Sequence, residues 1–257
     1  MTRQRTSPTS PALAAVAFAV TLAGCSGPRS MLDPAGPSAQ AIARIWWVMF
    51  TGAVVIWIVV VAMLLVALFR GRDTRGISRP QRLIVGGGVV LPTVVLGALL
   101  VWGTLDSARL TGIGERPEAV IEVTARQWFW EFRYLDDEGN AVAMSRDALA
   151  MPLGRMVEFR VTSADVIHSF WIPRLGGKMD AIPGRVNRLR LRADHAGGAT
   201  PIRGQCAEFC GTGHALMHFD VEVLDGAEWD AWLRAHAITG TAITGHATTG
   251  HAGASGP

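Results

Sequence analysis

Charge is scarce in this chain. Only 18% of its 257 residues are Asp, Glu, Lys or Arg, against 49% hydrophobic. Soluble domains carry roughly a quarter charged residues, so the balance suits a chain that is partly in a membrane. Cysteine is scarcer still, with Cys25, Cys206 and Cys210 making up the whole count. Three thiols do not pair off into a disulfide framework, and in an exported protein the odd one needs its own explanation. No Cys-x-x-Cys-His occurs, which excludes a covalently attached haem. The net charge of +3 is a small remainder of opposites, because residues 115–235 sum to −4 and the rest to +7. The basic surplus flanks apolar segments, as membrane topology requires, and no nucleic-acid partner is expected.

What the chain has instead is long runs without any charge. Residues 45–69 form one such run and residues 83–103 a second. At ~1.5 Å per helical residue the first is about 37 Å long, enough to cross a ~30 Å hydrocarbon core with tilt. In the second, Gly86-Gly87-Gly88 and Pro92 would weaken a soluble helix, but in a membrane they permit close packing on neighbouring helices. Between the runs lie Arg70, Arg72, Arg75, Arg79 and Arg82, opposed only by Asp73. Such a loop stays in the cytoplasm, so both ends of the hairpin over 41–110 are expected to face outward. A buried hairpin of a soluble protein is the weaker alternative.

The first residues read as an address. Arg3 and Arg5 precede an apolar stretch over 11–23 that is too short to span, followed by Leu22-Ala23-Gly24-Cys25. This is a secretory signal, and its ending resembles a bacterial lipobox. That resemblance implies removal of residues 1–24 and a lipid on the Cys25 thiol, the alternative being a plain signal with a chance cysteine. Residues 25–40 read as a Pro/Gly/Ser-rich linker.

From residue 115 the periodicity changes to two. Apolar and charged residues alternate over 157–161, 188–192 and 219–223, and 119–125 and 128–134 are further strand candidates. Turn residues separate them: Asp137-Glu138-Gly139-Asn140, Pro152-Leu153-Gly154, Pro183-Gly184 and Gly197-Gly198. About seven short strands in one domain predict a sandwich or a Greek-key β barrel. One helix over 227–235, capped by Asp225, should close it. The tail over 236–257 repeats a pentapeptide, cannot bury a core, and is expected to be disordered. Its His246 and His251 read as solvated.

The chemistry lies between Cys206 and Met217, where Cys206, Cys210, His214 and Met217 fall within twelve residues. Thiolate and thioether are soft ligands and imidazole suits copper, whereas zinc sites seldom use methionine. Cysteines four apart on a glycine-bounded loop can aim both sulfurs at one point and bridge two metal ions. A Cys206–Cys210 disulfide is the competing reading, and His214 and Met217 at these offsets favour the metal. Each ion still needs a terminal imidazole, and this run offers only His214. His168, just after an alternating strand, is the candidate for the second. His218 and His195 are weaker candidates, read as ordinary surface residues.

Taken together, Cys-x-Glu-x-Cys-Gly-x-x-His-x-x-Met resembles the binuclear copper A motif of cytochrome c oxidase subunit II. His168-Ser169-Phe170-Trp171-Ile172-Pro173, Lys178-Met179-Asp180-Ala181-Ile182-Pro183-Gly184-Arg185 and Gln127-Trp128-Phe129-Trp130 are similar to further blocks of that family. The resemblance covers roughly residues 40–235. It implies two transmembrane helices followed by an all-β, cupredoxin-like Greek-key barrel over 115–235, carried by a bacterial inner membrane with the barrel on the periplasmic face. It implies two copper ions bridged by Cys206 and Cys210, with His168 and His214 as terminal ligands. Met217 and the Glu208 carbonyl would be weak axial ligands, the Glu208 carboxylate would serve a magnesium ion, and Trp128 would be the point where electrons arrive from cytochrome c. The implied partners are oxidase subunit I, which holds the haem and reduces oxygen to water with proton translocation, subunit III, cytochrome c and membrane lipid.

Two departures from the family pattern stand out. Val85 occupies the place where the family often has a glutamate at a proton path. The aromatic segment is also unusually charged, with Glu131 and Arg133. Three rivals are weaker. A quinol oxidase relative lacks the copper ligands, a nitrous oxide reductase needs a further catalytic domain, and a free-standing copper carrier has no use for two spans.

Overall fold

In the computed structural model the described residues are 26–69, 80–111, 116–198 and 200–238. The signal, Cys25, the arginines at 70–79, and His246 and His251 lie outside them. Helix α1 (Pro37–Phe69) is followed by a broken second rod: α2 (Pro80–Val85), a wide π turn (Gly86–Val90) and α3 (Leu91–Thr111). Both rods are long and apolar enough to cross a membrane. The π turn falls on the triglycine, where no side chains hold a regular ladder. Leu91, Val94, Leu96 and Leu100 are exposed, as lipid-facing residues would be.

Helix α1 starts earlier than its uncharged run. Its first turns, with Ser38, Ala39, Ala41 and Ala43 buried, pack against the β domain. The segment read as a linker is tied down as well. Ala35 is buried, its amide donates to the Arg174 carbonyl at 2.7 Å, and its own carbonyl accepts from Asp194 at 2.9 Å.

Among the described residues the β domain holds ten strands rather than seven. They are β1 (Ala119–Arg126), β2 (Phe129–Leu135), β3 (Ala141–Arg146), β4 (Ala148–Pro152), β5 (Met156–Ser163), β6 (His168–Trp171), β7 (Met179–Ala181), β8 (Asn187–Arg192), β9 (Ile202–Cys206) and β10 (His218–Leu224). Two five-stranded sheets face each other, in the orders β3-β2-β1-β5-β8 and β4-β10-β9-β6-β7. β1 and β5 run parallel, as do β10 and β4, and the other pairs are antiparallel. The extra strands are short or carry residues that break alternation, such as His168 in β6 and Gly204 in β9. Gly204 is obligatory, because a Cβ there would collide with the Phe219 ring.

Alternation sends Trp130, Phe132, Phe159, Phe170 and Phe219 into one core, where Phe170 and Phe219 stack at 5.2 Å. Helix α4 (Gly226–Ala235) closes the sandwich with a capping box in which Asp225 accepts from Glu228 N. After α4 the described chain returns to the edge of the sheet, where the His236 carbonyl accepts from Met144 N. Ala237 bridges to Ala143, and Ile238 N donates to the Val142 carbonyl, extending the edge at β3.

Candidate metal centre

Neighbouring strands bring the candidate residues to one end of the sandwich. Cys206 ends β9 and His168 opens β6, and these strands pair with Phe170 opposite Cys206. The loop from Cys206 returns to β10, its neck closed by Cys206 N donating to the Met217 carbonyl at 2.9 Å. Ala207 N donates to the Ser169 carbonyl and pins the loop to β6. A 3-10 turn (His214–Leu216) then carries His214 back beneath the cysteines.

The two thiols are free and buried, with sulfurs 3.8 Å apart. The disulfide alternative is absent. His168 Nδ1 lies 3.9 Å from Cys206 Sγ, and His214 Nδ1 lies 3.6 Å from Cys210 Sγ. Met217 Sδ is 3.7 Å from Cys210 Sγ, and the Cys206 thiol donates to the Glu208 carbonyl at 3.2 Å. His168, Cys206 and Cys210 offer ligand atoms within 4.8 Å of one another, all on buried residues. The residues proposed from sequence are thus linked by contacts through the two thiols, with His168, Cys206 and Cys210 forming the compact group. Two thiols, two imidazoles, a thioether and a carbonyl form a donor set suited to a soft transition metal, with copper foremost.

Burial, followed by the neighbouring Cys206, pushes the Cys210 thiol up to about 12. Burial also works to raise Asp165, but bonds from His168, Gln127 N and Val166 N outweigh it and bring the carboxyl below its ordinary range.

Trp128 is not part of β2. It sits in the turn before the strand, 42% exposed, while Trp130 is fully buried, so the two do not share a face. The Trp128 indole covers the metal loop. Its Nε1 donates to the Cys210 carbonyl at 3.1 Å, and Gln127 Nε2 donates to the same oxygen at 2.8 Å. A Cβ at Gly213 would strike the indole, and Gly211 has φ +114. These two glycines thus let the tryptophan lie flat on the loop. Glu208 is exposed. Exposed Phe209 and Leu216 rim the loop. His195 and His218 are both exposed, and neither touches the thiols: His195 lies between the Pro34 carbonyl and the Gly197 N–H, and His218 bonds to the Leu216 carbonyl. Sequence reading missed Asp165 and Gln127. The available signal was a carboxylate three residues before His168.

A family model described as "Cytochrome C oxidase subunit II, periplasmic domain" matches residues 138–224. The chain is 33% identical over 225 residues to cytochrome c oxidase subunit 2 of Alkalihalophilus pseudofirmus, covering 82% of this chain and 64% of that one. It is 31% identical over 160 residues to the subunit 2 of Branchiostoma floridae, covering 56% of this chain and 68% of that one. Among solved structures, the periplasmic domain of subunit II of cytochrome oxidase of Bradyrhizobium japonicum matches 48% of this chain and 95% of its own. The identity there is 28% and the TM-score 0.43.

Proposed function

We propose, because this chain belongs to the cytochrome c oxidase subunit II family, that it is the electron-accepting subunit of a bacterial respiratory oxidase. On this reading it takes electrons from cytochrome c and passes them to the haem of subunit I, where oxygen is reduced to water with proton translocation. Subunit III is a further partner. The observation that carries the reading is the convergence of Cys206, Cys210, His168, His214 and Met217 with both thiols unpaired.

Two copper ions held there would accept and release one electron at a time. Cys206, Cys210, His168 and His214 would hold them, and Met217 and the Glu208 carbonyl would be weaker donors that tune potential more than they bind. The Glu208 carboxylate, at the exposed edge of the loop, is left to hold magnesium against subunit I. The buried strands beneath the loop keep the donors in place through the change of charge, and the Trp128 indole shields the Cys210 side from water.

Residues 1–24 would be a cleaved signal and Cys25 a lipid anchor. The barrel over 115–235 would stand on the periplasmic face of the inner membrane, with the arginine loop on the other side. The test is metal analysis with electron paramagnetic resonance on the purified full chain. Two coppers per chain and a mixed-valence signal are expected. Cys206→Ser should abolish that signal rather than shift it, because one sulfur cannot hold two ions symmetrically. One copper, or zinc, in the unaltered chain would refute the reading.

A further inference from the structure

We infer that Asp165 is a positioning residue which sets the ring of His168 for metal binding and at the same time holds the Trp128 turn against the metal loop. The metal half of this inference rests on the proposed function, whereas the tie to the turn stands on the geometry alone. Asp165 Oδ1 lies 2.8 Å from His168 Nε2, and the imidazole is completely buried while the carboxylate is about a third exposed. Nε2 is thus engaged by the carboxylate, and Nδ1 is the ring atom that faces Cys206. A histidine that ligates a metal through one nitrogen commonly donates from the other to a carboxylate, which fixes both tautomer and ring angle.

The second oxygen has a different task. Oδ2 accepts from Gln127 N at 2.7 Å, across 38 residues of sequence. Gln127 and Trp128 in turn both donate to the Cys210 carbonyl. One side chain thus closes a circuit from one candidate ligand, His168, through the aromatic turn, to another, Cys210. The remaining contacts of Asp165, from Val166 N at 2.6 Å and Ser163 Oγ at 3.4 Å, hold its own turn. A purely local turn former would need only those.

The experiment uses the full chain in detergent. Copper affinity is measured by competition with a chelator, and hydrogen–deuterium exchange is followed in the metal-free chain over residues 126–129. Asp165→Asn keeps the shape but loses the charge and cannot accept at both oxygens. Its copper affinity should fall on the order of 10–100-fold, and residues 126–129 should exchange faster. Asp165→Glu keeps the carboxylate and should recover part of the affinity. A folded D165N chain with unaltered copper affinity, or with unaltered exchange over 126–129, overturns the inference. If D165N does not fold, Asp165→Ser carries the same two readings. An unaltered chain that binds no copper refutes the proposed function instead, and the exchange reading then decides the Asp165 tie by itself.

Discussion

Glu158 is 3% exposed although it lies on the outward face of β5. Alternation over 157–161 places it there, among residues that face water. Its burial comes from β8, whose register sets Arg190 opposite Glu158 and Arg188 opposite Arg160. Arg190 reaches it at 3.0 Å and Arg160 at 3.4 Å. Strand pairing between distant segments leaves no local trace, so the arginine cover was not legible in the sequence. The candidate metal-ligating side chains were legible because four of them, Cys206, Cys210, His214 and Met217, share one loop. Asp165 was not, because a lone carboxylate in a turn resembles any other. Burial works to raise the Glu158 carboxyl, but the hydrogen bonds and charges of the three arginines win and hold it below its ordinary 4.5. Folding therefore favours the charged form. This contribution is complete above pH 4.5 and is lost as pH falls through that value and then through the lower folded one. Glu158→Gln should cost about 1–3 kcal/mol at neutral pH. The gap between variant and unaltered chain should narrow below about pH 4.5, as unfolding curves at neutral and acid pH would register.

At the scale of elements, the membrane spans were the most legible part, since an uncharged run of that length has few other uses. Their junction with the barrel was not. Residues 26–36 have the composition of a free linker, but Arg174, 1% exposed, reaches across to them. Its Nε donates to the Asp33 carbonyl at 2.7 Å, its guanidinium pairs with the Asp33 carboxylate at 3.0 Å, and it also donates to the Thr200 carbonyl at 2.6 Å. Composition describes what a segment would do alone, whereas a buried cation in the turn after β6 decides what it does in place. Arg174→Ala should leave the Asp33 and Thr200 oxygens without their donor. A loss of roughly 2–5 kcal/mol from the barrel is expected, with faster proteolysis over 26–36. Thermal unfolding in detergent and limited digestion would check both. An unaltered digestion rate would mean that the backbone bonds of Ala35 hold the segment unaided.

For the whole molecule the proposed function asks how a soluble donor would find a site at one end of the sandwich. Two features of the chain separate approach from transfer. The segment over 115–235 is net −4, and such a field steers a basic partner over distances that salt screens beyond ~8–10 Å. Trp128 is an exposed aromatic lying on the loop, and its indole N–H reaches the carbonyl of Cys210 directly. Trp130, two residues on, is sealed in the core beside His168 and cannot touch a partner. Neutralising acidic side chains on the barrel should therefore slow association with cytochrome c and flatten its salt dependence, with transfer inside the complex little altered. Trp128→Ala should do the reverse. Binding should stay near normal, because one rim contact among many is removed, and copper content should hold, because no candidate ligand is lost. Electron transfer should fall steeply, because the indole that joins the surface to the Cys210 carbonyl is gone. Stopped-flow mixing with reduced cytochrome c, at several salt concentrations and with copper content fixed, separates the two effects. Unchanged transfer in a copper-replete Trp128→Ala chain would place electron uptake elsewhere on the rim, with exposed Phe209 and Leu216 next to be tested.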